Sequence, residues 1–186
     1  MEYVRWAKMF QLWYRNLVQK ISSFVKPKKI VDIGCGPGIL MEELMKYFPE
    51  ALIVGIDRDV EMCKMSKAIL CDARSLPFRD ATFDLAIFCY SLHEIGLLAL
   101  YEARRVLKDD GILVVRDVRS EMTKIARDFL LFQLSLNVGV NYAEKVRSYL
   151  EVFPNSTFIR KFVEENFEVL HFSSTPFDFD LIARKL

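Results

Sequence analysis

The chain has 186 residues, a length typical of one domain, and 52% of them are apolar, which is enough for a single hydrophobic core. Its net charge is +1, so it lacks the basic surplus that is typical of nucleic-acid-binding proteins. No stretch reaches ~18 consecutive apolar residues, and Arg5, Lys8 and Arg15 interrupt the N-terminal apolar residues. We therefore expect a cytoplasmic protein with no membrane span and no nucleic-acid partner.

The four cysteines are not spaced as metal ligands. Cys35, Cys63, Cys71 and Cys89 form no CxxC pair, and no histidine or cysteine lies at a zinc-finger spacing. We expect four reduced thiols and no metal site.

The predicted elements begin with one amphipathic helix from Glu2 to Val25, because its apolar residues recur every three or four positions and Pro27 ends the pattern. From Lys29, short apolar runs alternate with amphipathic ones. The predicted strands are KIVDI, ALIVGID, AILC, FDLAIFC and GILVVRDV, with helices over residues 39–48, 60–68 and about 92–107. Buried strands separated by helices are typical of a parallel, doubly wound sheet.

The rhythm changes after Val118. Helices are predicted over residues 121–138, 143–153 and 157–165, followed by two strands, FEVLHFSS and FDFDLIARKL, on either side of Pro176. The fold class predicted is α/β: a sheet of seven strands, mostly parallel with a reversed C-terminal strand, and helices on both faces.

The strongest local motif is VDIGCGPG, residues 31–38, between the first predicted strand and its helix. Gly34, Gly36 and Gly38 let a ligand approach the backbone. The loop lacks the lysine of the GxxxxGK[ST] loop that binds nucleoside triphosphates. Its glycines are spaced GxGxG, whereas dinucleotide-binding proteins have GxGxxG. Asp32 favours a cationic ligand over a pyrophosphate. S-adenosylmethionine carries an ammonium and a sulfonium and no phosphate. A glycine-rich turn without a ligand is the alternative.

Two further carboxylates follow the next strands. Asp57 ends the second strand, where it could accept hydrogen bonds from both hydroxyls of a ribose. The alternative is an N-cap of the next helix, although Asp59 competes for that position. Asp72 follows the third strand, where it could accept from the amine of adenine beside the Ala73 N–H. The alternative is a carboxylate bonded to its own loop.

Five segments in order resemble the motifs of class I S-adenosylmethionine-dependent methyltransferases: VDIGCGPG, VGIDRD, CDARSLPF, FDLAIFCYSLHEI and EARRVLKDDGILVVRDV. They cover about Lys29 to Val118 and are similar to the small-molecule branch that includes quinone methyltransferases. The resemblance implies a Rossmann-like fold that binds S-adenosylmethionine. The cofactor-binding residues it implies are Asp32, Gly34, Cys35, Gly36 and Gly38 for the methionine end, Asp57 for the ribose, Arg58, Asp72 and Ala73 for the adenine, and Cys89 and Tyr90 beside the methionine amine. Cys71 departs from the family, since many relatives have glycine there.

The resemblance also divides the single expected domain, residues 1–186, into four parts. These are an N-terminal helical segment (1–26), a cofactor-binding core (28–118), a helical insertion bordering the acceptor (119–155), and a C-terminal helix and strand hairpin (156–186).

His93 is the candidate catalytic residue, because a neutral imidazole after the fourth strand could act as a general base. A structural histidine is the alternative, and Glu94 and Asp117 are weaker candidates. The fourth strand lacks the [DN]PP[YFW] string of enzymes that methylate planar amino groups.

The acceptor is expected to be a small, apolar or flat molecule. Aromatic residues of the first helix and the insertion would border it, unless they only pack in the core: Tyr3, Trp6, Phe10, Trp13, Tyr14, Phe129, Phe132, Tyr142 and Tyr149. A macromolecular methyltransferase and a non-catalytic cofactor-binding subunit are the competing hypotheses. The sequence does not indicate the oligomeric state.

Overall fold

The computed structural model describes residues 2–186 and contains one seven-stranded sheet. Its strands are β1 (Lys29–Ile33), β2 (Leu52–Asp57), β3 (Ile69–Leu70), β4 (Phe83–Cys89), β5 (Leu107–Val118), β6 (Phe167–Ser174) and β7 (Asp178–Lys185). Their order across the sheet is β3-β2-β1-β4-β5-β7-β6. Neighbours from β3 to β5 are parallel, and β7 runs antiparallel to both β5 and β6. The predicted sheet, with its reversed last strand, is confirmed.

Helices cover both faces of this sheet. They are α1 (Glu2–Lys8), α2 (Gln11–Ser22), α3 (Ile39–Tyr47), α4 (Val60–Ser66), α5 (Leu92–Ile95), α6 (Ala99–Val106), α7 (Lys124–Asn137), α8 (Val140–Val152) and α9 (Ser156–Glu164). Alternate residues of the central strands point to opposite faces. Leu85 and Ile87 of β4 pack with α2 and α3, whereas Ala86 and Phe88 pack with α6 and α9.

Two predicted helices are each divided in the structure. The helix predicted from Glu2 to Val25 is interrupted at Met9 and Phe10, whose amides donate to the carbonyls three residues earlier, so the chain tightens there. The Phe10 ring then packs edge-on between Trp6 and Trp13. The helix predicted over 92–107 ends first at Gly96, which has φ +92°.

A third apolar cluster, formed mainly by α7 and α8, lies apart from the two clusters on the faces of the sheet. The buried side of α7 packs against α8, and Trp6 of α1 packs on this pair. Between residues 2 and 186, no helix combines the length and the apolarity that crossing a membrane requires. All four cysteines are free thiols.

Candidate functional site

A cavity of about 610 Å³ opens at the carboxyl ends of β1, β2 and β4, where ligands bind in open parallel sheets. A second, much smaller cavity shares Tyr3, Gly34 and Gly36 with it. The larger cavity is bordered by the predicted residues Gly34, Gly36, Asp57, Arg58, Asp72, Ala73 and Tyr90, and the smaller one by Asp32, Cys35 and Cys89. Ten of the eleven residues predicted to bind the cofactor therefore border one of two adjacent cavities; Gly38 and the catalytic candidate His93 border neither cavity.

The glycine loop is held close to its neighbours. The amides of Gly34 and Cys35 both donate to the Ile56 carbonyl, which fixes the loop against β2. Gly34 has φ +74°, and a Cβ there would lie 2.6 Å from the Cβ of Ser91. Gly38 precedes α3 with φ +84°, and its Cβ would lie 2.9 Å from that of Ser66. Side chains are therefore excluded at both positions.

Asp32 presents a buried carboxylate to the smaller cavity. Asp32 is only 1% exposed, and its Oδ2 has no hydrogen-bond partner within the described part of the chain. Burial, with the negative charge of Asp57, raises the pKa of Asp32 to about 7. A buried carboxylate with an unpaired oxygen is unfavourable, and a cationic donor beside it would remove the penalty.

Asp57 connects the loop to the end of β2. Its Oδ2 accepts from the Gly36 amide at 2.8 Å, and its Oδ1 accepts from the Asp59 amide at 2.9 Å. Asp59, rather than Asp57, caps α4, because its side chain accepts from the amides of Glu61 and Met62. Asp57 keeps further lone pairs for a ligand, since an ionised carboxylate can accept about four hydrogen bonds.

Asp72 borders the same cavity from the β3 side. Its carboxylate accepts from the Arg74 amide at 2.9 Å and from the Arg74 guanidinium, whose Nη2 lies 2.6 Å from Oδ2. These contacts hold the pKa of Asp72 at about 2. The side chain bonds to its own loop, as the alternative interpretation had it, and Arg74 lies beside it in the cavity wall.

The far rim of the cavity comes from α1, α5 and α8. Lys145 donates to Glu94 Oε2 at 3.0 Å, and Arg58 Nη2 lies 3.8 Å from the same oxygen. The rings of Tyr3 and Tyr142 are 5.4 Å apart, and both border the cavity. The N-terminal helix and the insertion thus meet over the end of the sheet.

Cys89 ends β4, and Tyr90 follows it in a strained turn. Tyr90 has φ +53°, its amide donates to the Arg116 carbonyl, and its hydroxyl donates to Asp178 at 2.6 Å. Burial raises the pKa values of the Tyr90 hydroxyl and the Cys89 thiol well above their usual ranges. Both groups are therefore protonated at neutral pH, and Cys89 is unsuited to nucleophilic attack.

His93 lies beneath the rim rather than on it. Its side chain is 6% exposed, its amide donates to Asp117 Oδ2 at 3.0 Å, and its Nδ1 is 2.6 Å from Asp117 Oδ1. Burial of the ring lowers the pKa of His93, but the carboxylates of Asp117 and Glu94 together more than offset this, so the net shift is upward. The other ring nitrogen, Nε2, lies 3.9 Å from Glu94 Oε1.

Comparison with known proteins assigns the chain to a protein family. A family profile described as a methyltransferase domain matches residues 31–115. The ubiquinone/menaquinone biosynthesis C-methyltransferase UbiE of Campylobacter jejuni is 30% identical over 204 aligned positions, which cover 94% of this chain and 86% of that protein. The chain belongs to the class I S-adenosylmethionine-dependent methyltransferases. A malonyl-[acyl-carrier protein] O-methyltransferase of Legionella pneumophila is 28% identical to this methyltransferase over 126 positions, 61% of this chain and 44% of that one.

Solved structures agree with the fold of the methyltransferase. A methyltransferase from Thermotoga maritima superimposes with a TM-score of 0.69 at 21% identity, over 99% of this chain and 94% of that one. A second, from Aquifex aeolicus, gives 0.68 at 16% identity, over 90% and 88%. These neighbours confirm the Rossmann-like architecture.

The residues present fit S-adenosylmethionine. The Asp32 oxygen without a partner among the described residues suits an ammonium group, the cavity is large enough for a nucleoside, and Gly34 and Gly36 present backbone without a side chain to both cavities. Several bordering residues were not predicted from the sequence: Ile56, Met62, Arg74, Ser91, Ile95 and Lys145. Ser91 could have been predicted, because it lies only two residues after the end of a predicted strand. Lys145 could not, because it lies on a helix that is distant in sequence.

Proposed function

We propose that this methyltransferase acts on a small apolar or flat molecule, and that the predicted residues around the two cavities hold its cofactor. The buried, unpaired oxygen of Asp32 is the observation that carries the site assignment. The name of the Campylobacter jejuni relative supports a small acceptor, because that protein is a quinone-biosynthesis C-methyltransferase.

In this proposal each carboxylate has a separate role. Asp32 accepts from the ammonium of the methionine end, and the backbone of the Gly34–Gly38 loop lies against it. Asp57 accepts from the ribose hydroxyls while it keeps the Gly36 amide in place. Asp72 and the Ala73 amide contact the adenine edge, with Arg58 beside the ring.

Bound S-adenosylmethionine supplies a methyl group on a sulfonium, which is already a good leaving group. The protein therefore has to align the acceptor and exclude water. Tyr90 is suited to alignment, because its hydroxyl is fixed on Asp178 and its backbone on Arg116. Tyr3 of α1 and Tyr142 of α8 both border the cavity, and the position of Tyr142 supports a role of the α8 part of the insertion beside the acceptor. Phe129 and Phe132 of α7, by contrast, are exposed and border neither cavity.

His93 remains our candidate for a general base if the acceptor loses a proton. Its imidazole is fixed by Asp117 and directs Nε2 toward Glu94, a residue of the cavity rim. An acceptor that is already a good nucleophile would need no base. We also infer a cytoplasmic location. The four free thiols support it, because cysteines remain reduced in the cytosol.

The test is to supply methyl-labelled S-adenosylmethionine with size-fractionated extract and to follow the label. Label in molecules below the size of a protein, dependent on the purified chain, supports a small acceptor; label in RNA or protein contradicts it. Asp57→Ala serves as the site control. It should weaken cofactor binding by about 1–3 kcal/mol, the scale for losing a hydrogen bond to a charged group. Unchanged affinity in calorimetry would remove Asp57 from the site.

A further inference from the structure

The outward side of α7 is apolar although it is exposed. Four large side chains recur there at steps of four, three and four residues, which places them on one side of the helix. They are Ile125 (83% exposed), Phe129 (54%), Phe132 (57%) and Leu136 (65%). The opposite side of α7 is buried against α8. The fold uses only one of the two apolar sides, so the exposed one indicates an interaction surface.

The neighbouring N-terminal helices are basic. Residues 2–28 contain six lysines and arginines but one acid, Glu2, whereas the whole chain carries a net charge of only +1. On α1, Arg5 and Lys8 are exposed and form no ion pair with any residue from 2 to 186. Met9 (70% exposed) and Leu12 (61%) follow them. Because α1 packs against α7, the basic and the apolar surfaces belong to adjoining elements.

We propose that these residues form a docking platform for the surface of an anionic lipid bilayer. The docking platform consists of Arg5, Lys8, Met9 and Leu12 together with the four apolar residues of α7. Its apolar side chains would enter the boundary between headgroups and acyl chains, and its basic side chains would remain among the anionic headgroups.

Charge favours a lipid surface over a second copy of the chain. A twofold dimer pairs the platform with a second copy of itself, and the platform contains Arg5 and Lys8 but no acidic residue that could pair with them. Like charges at such an interface repel, whereas anionic headgroups attract them. The platform is independent of the proposed acceptor, because docking needs neither cofactor nor methyl transfer. It would also bring the rim residue Tyr3, on α1, close to the bilayer.

The experiment is co-sedimentation of the full chain with vesicles. We expect binding to vesicles of phosphatidylcholine and phosphatidylglycerol in about equal amounts, weaker binding to phosphatidylcholine alone, and loss of binding as salt screens the headgroups. The variant Ile125→Gln/Phe132→Gln/Leu136→Gln should bind at least about tenfold more weakly. Arg5→Glu/Lys8→Glu should lose a similar factor on the anionic vesicles only.

A matched variant controls for the loss of exposed apolar area in general. Met45→Gln/Leu52→Gln/Leu98→Gln changes three side chains that are 50%, 58% and 66% exposed and lie outside the platform. It should bind like the wild type, and circular dichroism should show all variants folded. Absent vesicle binding, an equal loss in both triple variants, or a wild-type dimer that the α7 variant dissociates in analytical ultracentrifugation would each overturn the proposal.

Discussion

At the scale of single residues, Asp32 makes cofactor binding dependent on pH. Its pKa is raised to about 7 in the free protein, and pairing with an ammonium requires the ionised form. We therefore expect the affinity for S-adenosylmethionine to fall as pH decreases below about 7, with proton release on binding near that pH. Calorimetry in buffers of different ionisation enthalpy measures both effects. Asp32→Asn should bind weakly with a flat pH profile; a profile like that of the wild type would contradict the assignment.

The pKa values of the two histidines should be shifted in opposite directions from that of a free imidazole. Asp117 raises the pKa of His93, whereas burial and the neighbouring Lys20 lower that of His171. The His93–Asp117 pair therefore contributes stability that is fully present below the unfolded pKa of about 6.5 and lost as pH rises through the higher folded pKa. Proton NMR of the rings should show His93 titrating at the higher pH, and Asp117→Asn should remove the difference.

If His93 is the base, turnover should rise with pH through that same pKa. His93→Gln should then lower turnover by about 100- to 10,000-fold at constant cofactor affinity. Turnover within about threefold of the wild type would leave alignment as the whole mechanism.

The sequence indicated most of these residues because they directly follow buried strands, and parallel strands bring their carboxyl ends together. It could not indicate that His93 lies under the cavity rim. That depends on Asp117 of β5, which is fully buried and accepts from both the amide and the ring of His93.

At the scale of elements, Arg105 holds the loop after Asp72 against α6. Its guanidinium donates to the carbonyls of Leu76 and Phe78 and to the carboxylates of Asp80 and Glu102. Arg105→Met should lower the free energy of unfolding by about 1.5–3 kcal/mol, because hydrogen bonds to charged groups are lost.

Urea denaturation measures this loss. The control is Arg160→Met on α9, where an exposed arginine pairs with Glu164 one turn away. That change should cost about 0.5 kcal/mol or less. Equal losses for the two variants would show that Arg105 acts as an ordinary surface charge.

Strand positions were predicted well because continuous apolar runs mark buried parallel strands. The breaks within the predicted helices were harder to predict from the sequence. At Phe10 the apolar periodicity continues through the break, since a turn of three residues preserves a spacing of three or four. The break is fixed by the packing of three aromatic rings, which periodicity does not encode.

At the scale of the whole molecule, the sheet depends on β7. This strand is almost wholly buried and lies between β5 and β6. One of its edges is hydrogen-bonded to β5 and the other to β6. Removing residues 177–186 should abolish the cooperative thermal transition. Removing Leu186 alone, which is 71% exposed, should keep the melting temperature within about 2 °C. A cooperative transition in the longer truncation would show that β1–β5 fold without it.

The position of β7 also sets the order in which the protein can fold during synthesis. The ribosome makes β7 after β1–β6, yet β7 is the only link between β6 and the rest of the described sheet. While the nascent chain emerges, β5 has an open edge and β6 has no partner strand. Unpaired edges of this kind favour aggregation, so a molecular chaperone that shields the edge of β5 would act in the interval before β7 leaves the exit tunnel.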